Sequence, residues 1–317
     1  MPSTLLLRRR IRSIKNTHKI TRAMELVASA KMKKAQDGVL SSRPYARETS
    51  ALLDRLIPQL TVNHELLTPR PEVKTVTLVV ISSDRGLCGS FNVNVLRQSV
   101  LAMRTLEQEY PGATIEWVAM GRKVRDALRR VTPRPLIADY SKPDRLVHLA
   151  DTVELRAFLL NRYLSGQTDR VVLVYTDFVS ALVQKAKMHQ LLPFPSVAKT
   201  PSLKLRSPGA MEGRPQSSRE NIPISQYPNI GPEYLLEPSA DRLVEALLPP
   251  MVDLILYQAL LESTASEHAA RRMAMKNATE AASDIIDDLS LEYNQTRQAS
   301  ITQEIAEIST ATAAMAT

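Results

Sequence analysis

The chain has 317 residues, with 41 basic side chains against 33 acidic ones, a net charge of +8. That length allows a sizeable core and more than one structural unit, and the moderate positive charge points to acidic partners rather than to any fold. A single cysteine, Cys88, excludes an internal disulfide, and no apolar run reaches the ~20 residues of a bilayer span.

From Ser3 to Ile57 the only glycine is Gly38 and the only interior proline is Pro44. This predicts one helix of about 80 Å at ~1.5 Å per residue, with a possible bend at Pro44. Leu5, Leu6 and Leu7 are too short an apolar stretch for a signal peptide, and the arginines that follow run directly into the helical pattern. The apolar positions Ile11, Ile14, Met24, Val27, Ala28 and Ala35 form a thin stripe, suited to a second helix and not to a globular core. Residues 1–36 hold ten basic side chains (Arg8, Arg9, Arg10, Arg12, Lys15, Lys19, Arg22, Lys31, Lys33 and Lys34) and one acid, Glu25. A solvated helix normally mixes both signs, so this face expects an anionic neighbour.

The period changes after residue 73. Val76–Ile81 reads as a buried strand ended by the turn Ser82-Ser83-Asp84-Arg85-Gly86. A helix over about 93–110, a strand over 115–120 stopped by Gly121, a helix over 123–130, a helix over 144–164 and a strand over 170–175 follow. Alternating strands and helices predict βαβ units and a mostly parallel, Rossmann-like sheet over 73–200. Residues 201–232, with four interior prolines and three glycines, predict a disordered loop.

Residues 238–308 return to helix, with Ser239 as N-cap. Leu243, Leu247, Met251, Leu254, Gln258, Leu261, Ala265 and Ala269 step by three or four, which is the seam of a coiled coil. Pro249-Pro250 predicts a kink or interruption. Neither long helix buries its stripe alone, so the two should pair antiparallel around the α/β domain. The expected units are 1–60 (first shaft helix), 73–200 (α/β domain), 201–232 (loop) and 233–317 (a foot segment and the second shaft helix).

Chemistry-bearing constellations are sparse. The turn Asp84-Arg85-Gly86-Leu87-Cys88-Gly89 sits where α/β folds bind phosphate, but it lacks dinucleotide and P-loop spacing and reads as a structural turn. Cys88 reads as a packed thiol. The five histidines show no metal-ligand spacing, and no catalytic residue, cofactor site or metal site is expected. The neutral tip from Ile308 reads either as a frayed tail or as a slim helix end in an apolar socket.

Four segments carry a family resemblance: RRRIRSIKNTHKITRAMELVASAKM (8–32), SSDRGLCGS (82–90), SEHAARRMAMKNAT (266–279) and LEYNQTRQASITQEIAEI (291–308). In this order they resemble the gamma subunit of F-type ATP synthases. The resemblance implies a non-catalytic central rotor shaft that carries rotation from a membrane-embedded, proton-driven c-subunit ring to the alpha and beta subunits of the catalytic head, for ATP synthesis and hydrolysis, and that regulates activity and proton flow. It implies contacts to catalytic subunits through Met24, Arg9, Arg12, Arg271, Gln298, Thr302 and Glu304. It places Tyr234 and Glu237 in a foot that meets the ring and the epsilon subunit. Neither nucleic acid nor a small-molecule substrate is expected, and the location implied is peripheral, on the cytoplasmic face of a bacterial plasma membrane. Leu236 departs from the aromatic expected there, Pro249-Pro250 breaks an expected continuous helix, the 201–232 loop is longer than the family pattern, and no cysteine pair of the chloroplast type exists for a thiol switch. A nucleotide-binding α/β enzyme with helical extensions and a basic coiled-coil nucleic-acid binder are the competing readings.

Overall fold

A computed structural model describes residues 4–56, 64–131, 134–194, 237 and 239–315. Two helices, α1 (Thr4–Leu56) and α5 (Ala240–Met315), bracket a five-stranded sheet. Between them lie β1 (Thr75–Ile81), α2 (Phe91–Glu109), β2 (Thr114–Met120), α3 (Arg122–Val131), β3 (Leu136–Tyr140), α4 (Val153–Leu164), β4 (Arg170–Phe178) and β5 (Gln184–Leu192).

The strand order is β3-β2-β1-β4-β5, with four parallel strands and β5 antiparallel at one edge. The β-branched runs of β1 and β4 are buried along nearly their whole length because helices cover both faces of the sheet. One face packs on α2 and α3, through Phe91, Val95, Leu106, Val124 and Leu128. The other packs on α4 and on α5, through Leu155, Leu159, Val252, Leu256 and Leu260. Gly121, at φ +106°, ends β2 where a Cβ would lie 2.6 Å from Ser82 Oγ, so the tight β2–α3 turn requires glycine.

Several expectations change. Strands β3 and β5 were not anticipated; β3 is short and follows a proline pair, and β5 carries polar side chains in an edge position. The helix expected over 144–164 begins only at Val153, after a 3₁₀ turn at Leu149–Thr152. Helix α5 runs through Pro249 and Pro250 without interruption. The carbonyls those prolines leave without donors belong to Glu245 and Ala246, both exposed residues, so the break in the ladder falls on the solvent side of the helix. Helix α1 likewise continues through Pro44.

Near its start α5 buries Val244 and Leu248 instead of Leu243 and Leu247, one position off the predicted seam. From Met251 to Ala269 almost every residue is buried, because this stretch is wedged between α1 and the sheet. Part of α5 is long and apolar enough to cross a bilayer by composition, and half of that window is buried inside the fold. Further along, Ala265, His268, Met275, Thr279 and Ala282 face α1, which presents Leu7, Thr21, Ala28, Met32, Ala35 and Val39. Ser42 bonds to Gln258 (2.7 Å), Thr279 to Thr21 (2.9 Å) and Arg8 to Tyr293 (2.7 Å). Residue numbers rise on one helix as they fall on the other, so the two run antiparallel. The expected loop 201–232 lies outside the described residues.

Candidate functional site

Doubly wound sheets bind ligands beyond the carboxyl ends of the strands on either side of the switch in strand order, which here lies between β1 and β4. In this chain α5 fills that place. Ser266 Oγ donates to the Thr176 carbonyl at the end of β4 (3.5 Å). Arg271 donates to the carbonyls of Gly86 (3.3 Å) and Arg85 (3.5 Å) in the turn after β1. Gly89, at φ +56°, lets the same turn lie against Ala270 and Ala274. The turn that resembled a phosphate loop therefore clasps a helix. Cys88 is buried in it, and Asn92 Nδ2 donates to its sulfur at 3.1 Å.

Beneath the turn lies a buried charge cluster. Glu267 Oε2 accepts from Lys142 Nζ at 2.7 Å, and Glu267 Oε1 accepts from Arg271 Nη2 at 2.8 Å. Burial pushes the Glu267 carboxyl up, but Lys142 and Arg271 outweigh it and hold the group below its ordinary range. His268 bonds to Arg271 at 3.1 Å, and burial, reinforced by Arg271, Lys142 and Lys31, lowers its pKa to about 4. Arg271 is only 9% exposed. A side chain predicted to touch a partner is thus engaged internally, fixing the β1 turn to α5; Glu267 and His268 are its neighbours on the helix, but the turn carbonyls it binds lie 186 and 185 residues away, out of reach of a sequence reading.

The other candidate contacts lie on the surface of the helix pair. Of the ten basic residues near the start, Arg8 bonds to Tyr293, Arg22 pairs with Glu25 (2.8 Å) and Lys31 pairs with Asp144 (2.7 Å). Arg9, Arg10, Arg12, Lys15, Lys19, Lys33 and Lys34 are exposed and make no ion pair among the described residues. Met24 is half-buried on the same helix. A positive row of this kind lowers the energy of a carboxylate-rich surface laid along it.

Because Arg8 meets Tyr293, the residues of α5 past about 297 extend beyond the start of α1, and 297–309 are all exposed. Gln298, Thr302 and Glu304 belong to this bare segment. At about 100° per residue, Gln298 and Thr302 share a face while Glu304 points to another side. The sequence reading missed the apolar row between them: Ile301, Ile305 and Ile308 repeat at i, i+4 and i+7 and are exposed, Ile305 by 61%. That spacing was the available signal. Apolar side chains displayed along a bare helix are the mark of a surface that meets another protein. Glu237 is exposed just before α5, and Tyr234 lies outside the described residues. Among the described residues no group of histidine, cysteine and carboxylate side chains is arranged to hold a metal ion.

A family model described as ATP synthase matches residues 3–315. The ATP synthase gamma chain of Roseiflexus castenholzii is 39% identical over 318 aligned residues, covering 100% of this chain and 99% of that one. The ATP synthase gamma chain of Pelotomaculum thermopropionicum is 41% identical, covering 97% of both. Among solved structures, the rotor of the Euglena gracilis mitochondrial ATP synthase shares the fold with a TM-score of 0.56 at 19% identity, covering 94% of this chain and 98% of that one. A chain from the central stalk and c-ring of the Tetrahymena thermophila enzyme aligns with a TM-score of 0.55 at 22% identity, covering 82% of this chain and 99% of that one.

Proposed function

The chain belongs to the ATP synthase gamma-chain family, and from that premise we propose that it is the central stalk of an F-type ATP synthase, a rotating shaft that couples a proton-driven ring to the catalytic head. In this reading α1 (in the unit 1–60) and α5 (in the unit 233–317, after its foot segment) form the shaft as an antiparallel coiled coil, and the α/β domain of the unit 73–200 forms its base. The observation that carries the reading is the bare, exposed end of α5 beyond the start of α1, beside a row of unneutralised cations. A long single helix with exposed isoleucines is not stable alone in water and needs a surrounding wall.

In this reading the alpha and beta subunits of the head surround the shaft. Arg9, Arg12 and Met24 meet their acidic surfaces, and Gln298, Thr302 and Glu304 bond to them in turn. Arg271 contributes by holding the β1 turn against α5 and not by direct contact. Glu237, with Tyr234, meets the epsilon subunit and the c-ring. Rotation shifts each catalytic subunit because it presents a different side of the shaft, and only contacts that differ between orientations can shift such an equilibrium. The chain itself performs no bond chemistry, and the complex lies on the cytoplasmic face of a bacterial plasma membrane. Affinity recovery of the tagged chain from gently solubilised membranes tests this. The reading expects a large complex that hydrolyses ATP and contains ring subunits; recovery of the chain alone, or with nucleic acid, would reject it.

A further inference from the structure

Midway along α5, Glu262 is buried at 4% exposure where three elements meet. From α1, Ser42 Oγ donates to Gln258 Oε1 (2.7 Å). On α5, Gln258 Nε2 donates to Glu262 Oε1 (2.9 Å). From the β4–β5 hairpin come Lys187 of β5 and Asp177 of β4, joined to each other at 3.3 Å, with the Tyr175 ring beneath the lysine at 4.9 Å. Among the described residues these are the polar and titratable groups that face Glu262, and together they link the first helix to the sheet edge through one carboxyl group.

The second oxygen of Glu262 is the anomaly. Oε2 is buried and, among the described residues, no donor reaches it: Lys187 Nζ is 3.9 Å away and lies closer to Asp177. An ionised Glu262 would leave a negative oxygen without a hydrogen bond, next to a second carboxylate, with a single lysine between them. A protonated Glu262 converts Oε2 from an orphaned acceptor into a donor available to the neighbouring Asp177 carboxylate. Burial first, then Asp177, push this carboxyl up to about 7 against the opposing pull of Lys187.

We propose that Glu262 is a proton-binding site that latches the β4–β5 hairpin to α5: with its proton the hairpin is held, and when the proton leaves through the partly exposed Asp177 the two carboxylates repel and the hairpin loosens. The latch joins the sheet, which includes β4 and β5, to the helix that runs to the far tip, so its state sets how stiffly one moves with the other. The site is independent of the proposed role in rotation, and its test needs only the folded full chain.

Two measurements on the full chain decide it. The carboxyl carbon of Glu262, labelled with ¹³C-glutamate and assigned by its loss in Glu262→Gln, should titrate near neutral pH and move toward the ordinary range in Asp177→Asn. Amide exchange of residues 184–192, corrected for intrinsic rates, should accelerate roughly tenfold between pH 6 and 8.5 in the parent. In Glu262→Gln, which mimics the neutral acid, it should stay nearly flat. A Glu262 carboxyl that titrates like an exposed glutamate, or hairpin exchange with the same pH dependence in parent and Glu262→Gln, would overturn the proposal.

Discussion

Glu267 gathers Lys142 and Arg271 where water is nearly excluded, and the turn after β1 depends on that arrangement through the Arg271 guanidinium. Without Arg271, Lys142 still compensates Glu267, but the donor to Glu267 Oε1 is lost, and leaving a buried acceptor unsatisfied costs about 1–3 kcal/mol. Arg271→Met should therefore lower the urea stability of the full chain by that order. Gln298→Ala and Glu304→Ala, on the exposed end, should stay within about 0.5 kcal/mol while weakening recovery of the complex. A stable Arg271→Met would return that residue to the surface-contact reading. The histidines supply a pH test. Burial, reinforced by Lys187, holds His189 down to about 4 from 6.5, and His268 is held similarly low. The unfolded chain therefore binds more protons between pH 6.5 and 4, so this contribution to stability is present above pH 6.5 and lost as pH falls through that window. Glu262 acts in the opposite sense: its folded form holds a proton more tightly, so stability falls as pH rises from 4.5 to about 7. Comparing parent with His189→Gln separates them, and the variant should lose less stability between pH 7 and 5, by roughly 2 kcal/mol.

At the level of elements, the close approach of α1 and α5 has a specific test. A Cβ on Gly38 would lie 3.2 Å from Leu261 Cδ2, so a branched side chain there forces the helices apart. Gly38→Val should destabilise the chain by about 1–3 kcal/mol in urea unfolding, and an unchanged midpoint would mean that the pairing is loose there. Pro250 predicts the opposite sign. It is exposed and removes a donor from a helix that continues regardless, so Pro250→Ala should stabilise the chain by about 1–3 kcal/mol, a fraction of the ~3 kcal/mol interior penalty. The same elements show what was legible in sequence. The runs of β1, β2 and β4 announced themselves because strands buried on both faces are continuously apolar. Strand β5 did not, because Gln184, Lys185 and Lys187 at an edge resemble loop. The seam of α5 was misread by one residue at Val244 and Leu248 because periodicity vanishes from Met251 to Ala269, where the helix is buried on all sides. The exposed candidates on α1 and at the end of α5 were legible through charge and resemblance, whereas the burial of Arg271 depends on residues nearly 200 positions away.

For the whole molecule, the pattern of burial along α5 is the informative feature. Its first third belongs to the α/β core, its middle packs on α1, and its last residues extend past both. One continuous helix thus joins the sheet to an exposed tip, the arrangement a torque-bearing element requires. Direct observation of motion tests this account. Cys88 is buried, so Arg104→Cys on the exposed side of α2 supplies a single reactive handle on the domain, on the sheet face opposite α5. With the catalytic head of the purified complex fixed to a surface and a bead attached at residue 104, ATP should drive sustained rotation of the bead in one direction. A bead that stays still while the same immobilised complexes hydrolyse ATP would contradict the account.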